Sequence, residues 1–245
     1  MDNNATNDAV AARRRALAEA LRTGEPVIVT PSGEVEKKDD AMDMACPASR
    51  FLTESWHKEA IMAYYWYQSD PQLYQMEVAA MQKFFPSFTI NQLQDGSGRL
   101  YWRGKVQPTG AGGMVWDIML IYKNSHPHVA SANEYGGTVQ ILPLSPRLKD
   151  IAEQVMPSIM ATYNNNYDEV CRRGFGLGLP HIYRDQFGRN EEYFICTADP
   201  KYFKGDMRQS TSAASALSWA CKWIILCEMW LNGEVGDDVA MEGNY

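Results

Sequence analysis

Residues 99–127 read "RLYWRGKVQPTGAGGMVWDIMLIYKNSHP", and the reading of this stretch decides the fold. In its first part Leu100, Trp102, Gly104 and Val106 alternate with Arg99, Tyr101, Arg103 and Lys105. In its second part Trp116, Ile118, Leu120 and Tyr122 fall on one side of an extended chain. Alternation with period two over both runs predicts two antiparallel strands with one covered face. The glycines of "TGAGG" lie between the two strands. A phosphate-cradling loop would lead into a helix and carry Lys followed by Ser or Thr, so these glycines read as a hairpin connection.

Upstream, Asp70 is suited to cap a helix and Pro71 to occupy its first position. Leu73, Met76, Ala80, Met81 and Phe84 follow at helical spacing, and Pro86 ends the run. Downstream, "TVQIL" predicts a third strand and residues 147–170 a helical stretch that Pro157 interrupts or begins. "NNNY" and "RRGFGLGLP" read as irregular. "SALSWACKWIILCEMWLNG" is a strongly apolar helix with Trp219, Trp223, Leu226 and Trp230 on a shared face and Gly233 at its close. The acidic tail after Gly236 is expected to fray. Helix, strands, an irregular region and a final helix make an α+β layout, an antiparallel meander sheet flanked by helices. Residues 1–68 read as an N-terminal extension before a domain spanning 69–245. The extension holds a short helix ending at Gly24, a strand, a Pro-Ser-Gly turn, a charged run and a second helix, "ESWHKEAIMAYYWY". Its aromatics "YYWYQ" suit an interface or packing on the parent domain equally.

With 245 residues, 45% of them hydrophobic, the chain can bury a substantial core. A formal net charge of −7 and no basic patch beyond the solvated run Arg13-Arg14-Arg15 argue against nucleic acid as a partner. No apolar run reaches the ~18 residues of a membrane span, and "MDNNATND" lacks a signal-peptide apolar core. The five cysteines are odd in number and form no CxxC, against a disulfide framework or a four-cysteine zinc site. Reduced thiols in the cytoplasm are the expectation. His126 and His128 have few companions for a metal, and nothing in the sequence points to a cofactor.

The chemistry-bearing segment is "PHIYRDQFGRNEEYFICTADP", residues 180–200. Taken alone, a cysteine inside "YFICT" reads as a buried, inert thiol. Cys171 competes, because "EVCRRG" puts two arginines beside it, which lowers a thiol pKa. Cys221 and Cys227 belong to the apolar helix and read as structural.

The order of elements changes the weight given to Cys196. A helix, the strand with Trp102-Arg103-Gly104, a hairpin with Pro108, the strand "VWDIMLIYKNSHP" with its proline turn, His181 with Gly188 seven residues on, then Cys196 and a Trp-rich helix: this series resembles the ubiquitin-conjugating enzyme family over roughly residues 70–232. No single motif is specific; the ordered set carries the resemblance. Its divergence looks like that of bacterial relatives in ubiquitin-like conjugation operons, antiphage ones included. The resemblance implies the ubiquitin-conjugating fold with a long insertion at about 147–179. It implies a transferase that accepts a ubiquitin-like protein from an activating enzyme as a thioester on Cys196 and passes it to an amine of a protein target. Two features depart from the family: His181 is followed by Ile182-Tyr183 instead of Pro-Asn, and "RNEEYFI" lengthens the interval between Gly188 and Cys196. The missing asparagine leaves the oxyanion donor to be found, for which Asn190 is the candidate. Asp199 is the carboxylate expected to orient or desolvate the incoming lysine, and His181 a packing and hydrogen-bonding element. Glu191 and Glu192 oppose ionisation of Cys196, which suits a carrier thiol better than a protease thiol. A carrier needs no strongly depressed pKa, since thiol exchange depends on both thiols. Two other readings stay open: an inactive relative that only binds a ubiquitin-like partner, and a Cys/His hydrolase using Cys171 or Cys196.

Overall fold

Asp70 opens the first long helix as its residue type dictates: its carboxylate accepts from the Leu73 backbone N–H at 2.9 Å, with Pro71 in the first turn. The computed structural model describes residues 12, 15, 27–29, 35–37, 65–128, 136–174, 179–184, 193–197 and 212–242. In chain order these form strands β1 (Val27–Val29) and β2 (Val35–Lys37), helices α1 (Trp66–Ser69) and α2 (Pro71–Phe84), strands β3 (Thr89–Gln92), β4 (Leu100–Val106), β5 (Trp116–Tyr122) and β6 (Val139–Ser145), and helices α3 (Leu148–Thr162) and α4 (Tyr167–Gly174). Strands β7 (Ile182–Arg184) and β8 (Tyr193–Ile195) and helices α5 (Ala213–Leu231) and α6 (Asp237–Glu242) complete the set.

The protein is mixed α+β: six antiparallel strands in the order β3-β4-β5-β6-β8-β7, flanked by helices. The first four run consecutively as a meander. The chain then leaves through α3 and α4, lays β7 at the far edge, and returns to insert β8 beside β6. The inner sheet face carries Trp102, Trp116, Ile118, Leu120, Tyr122, Ile141 and Ile195, which join Leu73 and Met81 of α2 and the apolar surface of α5 in one core. Helix α5 packs on α2, on β6 and on β1 of the N-terminal segment. Trp66 also enters this core, so of "YYWYQ" the tryptophan packs on the body.

The hairpin between β4 and β5 is tied down from a distance. Glu228 of α5 is buried and accepts from the Thr109 hydroxyl at 2.6 Å, the Trp116 indole N–H at 2.8 Å and the Met114 backbone N–H at 3.2 Å. Gly113 is required here, because a Cβ would fall 1.6 Å from Thr109 Oγ1.

Several sequence expectations need correction. The sheet does not have only one covered face: Ile121, Leu142, Tyr183 and Phe194 form a second buried cluster on the outer side. Central strands are enclosed on both sides, and the alternation of β5 breaks at Ile121 for that reason. Pro157 neither starts nor splits α3, which runs through it. Pro157 and Glu153, whose carbonyl loses its usual helical donor, both face solvent, where an unpaired carbonyl costs little. The irregular reading of "NNNY" does hold for Asn164–Asn166, a junction between helices: Asn164 and Asn165 adopt left-handed backbone at φ 52° and 59° to close α3, and the Asn166 side chain caps α4 by accepting from Glu169 N at 3.1 Å. The tail after Gly236 does not simply fray but forms α6. Asp237 there accepts from the Trp230 indole at 2.7 Å and from the Thr162 hydroxyl, and Ala240 is buried. Helix α5 is buried nearly all round instead of on one stripe, because it lies between the sheet and the surrounding elements.

Candidate functional site

Cys196 follows the last residue of β8, half-buried, against the outer-face cluster of Ile121, Leu142, Tyr183 and Phe194. Two neighbours fix its backbone. Its N–H donates to the carbonyl oxygen of His181 at 2.7 Å, one step beyond the Ile182–Ile195 pair that joins β7 to β8. His181 holds a left-handed backbone, φ 51°, and the preceding carbonyl, of Pro180, accepts from the Trp223 indole N–H at 3.0 Å. The chain entering β7 is thus anchored to α5 on one side and to the Cys196 backbone on the other.

Register defines what else surrounds the thiol. Tyr101 pairs with Ile121, Ile121 with Gln140, and Ile141 with Ile195. In an antiparallel pair the next rung beyond Ile141–Ile195 sets Gln140 opposite Cys196. Side chains on one rung share a face, so Tyr101, Ile121, Gln140 and Cys196 form one row across the outer face. Gln140 is only 2% exposed, a buried amide in an otherwise apolar band. Tyr183 and Phe194 stack beside this row with ring centroids 5.5 Å apart. Gly136, at φ 73°, lies on them so closely that a Cβ would fall 2.4 Å from the Tyr183 hydroxyl oxygen. Thr197, next to Cys196, buries a hydroxyl with no hydrogen-bond partner among the described residues.

Of the residues expected from sequence, Cys196 and His181 come together. Asn190 and Asp199 lie outside the described residues, as do Gly188, Glu191 and Glu192. Cys171 falls in α4, with its side chain outside the described set. Cys221 and Cys227 are fully enclosed, and burial drives both thiols well above their ordinary range. Gln140 was not singled out in the sequence; a polar residue at the centre of "TVQIL" was its only signal.

A second polar cluster lies at the junction of α2, β5 and α5. Glu77 is buried within the apolar stripe of α2, and its Oε2 accepts from the Tyr122 hydroxyl at 2.7 Å and the Ala213 backbone N–H at 2.9 Å. Trp102 in turn donates its indole N–H to the Tyr122 hydroxyl at 3.1 Å. His126 Nε2 lies 3.9 Å from Glu77 Oε1, its Nδ1 2.8 Å from the Thr138 hydroxyl, and its ring against Trp66 and Tyr122. Burial pushes the Glu77 carboxyl up and holds the His126 imidazole down at about 3. Both groups are therefore driven toward neutrality, and the cluster reads as a structural joint. Among the described residues no group of three or more His, Cys, Asp or Glu is placed to hold a metal ion, and no helix is long and apolar enough to cross a membrane.

No protein-family model, curated protein or solved structure matches the chain.

Proposed function

We propose that this chain is a ubiquitin-conjugating-like transferase, which receives a ubiquitin-like protein from its activating enzyme as a thioester on Cys196 and delivers it to an amine of a protein target. The observation that carries the reading is the position of Cys196. It follows a helix-led meander of four consecutive antiparallel strands, and it lies half-buried at the end of a strand with its backbone held by His181. A thiol sealed in the core, as Cys221 and Cys227 are, is unable to meet another protein's acylated terminus; Cys196, half-buried at a strand end, is not enclosed to that degree. The chemistry needs cysteine because a thioester acylates amines yet survives transfer between proteins. The sulfur attacks the carbonyl carbon of the incoming thioester, the new C–S bond forms, and the donor sulfur leaves as thiolate. In the second step an amine nitrogen attacks the same carbon, Cys196 leaves as thiolate, the amine proton passes to solvent, and an amide remains.

The test combines the protein with its cognate activating enzyme, the ubiquitin-like protein and ATP, followed by a non-reducing gel. The expected result is a thiol-sensitive adduct that Cys196→Ala abolishes and Cys171→Ala retains. Stable binding without an adduct would instead mean a non-catalytic module, and cleavage of a ready-made conjugate a hydrolase.

A further inference from the structure

The six-stranded sheet ends at β3 in an open edge. We propose that β3 pairs antiparallel with β3 of a second copy of this chain, about a twofold axis through Asn91, and so forms a symmetric dimer with one continuous sheet.

The register shows which groups the edge offers. The Leu93 N–H donates to the Arg99 carbonyl at 2.9 Å, which makes Leu93–Arg99 a hydrogen-bonded rung. Rungs alternate, so Asn91–Tyr101 and Thr89–Arg103 are of the same kind, and Ile90–Trp102 and Gln92–Leu100 are not. The backbone N–H and C=O of Ile90 and Gln92 therefore point away from β4, and they meet no partner among the described residues. Thr89, Asn91 and Gln92 are exposed and Ile90 is half-buried. Natural sheets block such edges with charge, proline or a bulge. The strand Thr-Ile-Asn-Gln has no charge and no proline, and it pairs with β4 in unbroken register. The opposite edge, β7, is three residues long and carries Arg184.

The same register favours a second copy as the occupant. A neutral edge gives a charged partner nothing to recognise, whereas it is complementary to itself. With the axis at Asn91, Ile90 faces the partner subunit's Gln92 and Gln92 faces the partner subunit's Ile90. Every outward group of both strands is then used, and a shift of two residues either way would match only one of the two positions. Asn91 meets the partner subunit's Asn91 on a non-hydrogen-bonded rung, where Cα atoms lie about 4.5 Å apart and side chains approach most closely. Within its own chain the Asn91 amide makes only two contacts, both to Thr89 at 3.5 Å, and is able to turn to its counterpart. Asn91 also begins the outer-face row that leads through Tyr101, Ile121 and Gln140 toward Cys196. The dimer thus sets both Cys196 residues on the same face of one sheet. A strand edge of four residues makes a small contact, so the dimer is weak and depends on concentration.

Sedimentation velocity of the full chain, from low micromolar to near-millimolar protein, reads the association. Wild type is expected to shift from monomer to dimer. Asn91→Lys, an exposed change that sets two like charges opposite each other on the axis, is expected to weaken the dimer at least about tenfold with an unchanged far-UV circular dichroism spectrum. Cross-linking reads the register. Asn91→Cys and Thr89→Cys, each in the Cys196→Ala chain, are oxidised in a glutathione buffer, and Cys196→Ala without an added cysteine sets the background of the other thiols. Asn91→Cys is expected to form a disulfide dimer above that background. Thr89→Cys is expected to form none, since its counterpart lies four positions along the paired strands, roughly 13 Å away, beyond the reach of a disulfide. Wild type that stays monomeric throughout overturns the proposal and leaves the edge to a strand of a different protein. Asn91→Lys that dimerises like wild type, or equal cross-linking of the two cysteine variants, overturns it as well. Asn91→Asp repeats the comparison should Asn91→Lys not fold.

Discussion

The carbonyl of His181 accepts the Cys196 N–H at 2.7 Å from a residue whose own backbone is left-handed, φ 51°. For a side-chain-bearing residue that conformation costs on the order of 1–2 kcal/mol, and it persists where surrounding bonds over-determine it. Here those are the bond to Cys196 and, one residue earlier, the Trp223 bond to Pro180. His181→Gly removes the steric cost and is expected to keep stability within about 1 kcal/mol of wild type. His181→Val, β-branched, is expected to lose about 2 kcal/mol or more. Urea unfolding at pH 7 compares them; equal losses in the two variants would mean that the imidazole, and not the backbone, matters at this position.

Glu228 is buried with three donors from the β4–β5 hairpin directed at its carboxylate. Glu228→Gln replaces one acceptor oxygen by an NH₂ that faces donors. Destabilisation of about 2–3 kcal/mol is expected, in the range for a buried charge-assisted network that loses an acceptor. Proteolysis should then cut first within residues 107–115, because the hairpin is what the carboxylate holds. A loss under about 0.5 kcal/mol, the scale of an ordinary surface substitution, would mean the hairpin is held by its own turns.

Thiol reactivity should separate the cysteines by enclosure. Cys221 and Cys227 are buried and their thiols are pushed up, whereas Cys196 is half-buried. Brief iodoacetamide treatment of the native protein at pH 8, followed by peptide mapping, is expected to label Cys196 and leave Cys221 and Cys227 unmodified until denaturant is added. Protection of Cys196 to the same degree as the two helix cysteines would count directly against the carrier reading.

The meander was legible in the sequence because the burial it demands is periodic: Leu100, Trp102 and Val106, then Trp116, Ile118, Leu120 and Tyr122, are buried as the alternation implies. Asp70, Pro71 and Gly233 declared helix ends through chemistry that is local. The outer half of the sheet was not legible, since β7 and β8 have three residues each and hold their place by pairing with distant partners. Gln140 and Glu77 escaped for the opposite reason: each is a polar residue inside an apolar pattern, and a pattern search treats it as noise. Cys196 was singled out only through the order of elements around it, because "YFICT" by itself fits an inert strand, and the strand is indeed part of what the segment forms.

The junction of Glu77 and His126 gives a pH dependence with two opposing limbs. The folded protein holds the His126 imidazole at about 3 against an ordinary 6.5. As pH falls below 6.5 the unfolded chain takes up that proton first, so the contribution is complete above 6.5 and is lost progressively down to about 3. The limiting slope is about 1.4 kcal/mol per pH unit. Glu77 acts in the other direction. Its folded carboxyl is raised above 4.5, so the folded state keeps the proton longer, and stability present below 4.5 is lost as pH rises through the folded value. His126→Phe keeps an aromatic ring between Trp66 and Tyr122 while removing the titrating group, and should flatten the limb between pH 6.5 and 3. Glu77→Gln should flatten the limb above 4.5, at a loss of stability from its altered bonds to Tyr122 and Ala213. Urea midpoints measured every half pH unit for the three proteins decide the matter. A His126→Phe curve parallel to wild type below pH 6.5 would show that the imidazole carries its ordinary proton in the fold, paired as a cation with the Glu77 carboxylate 3.9 Å away.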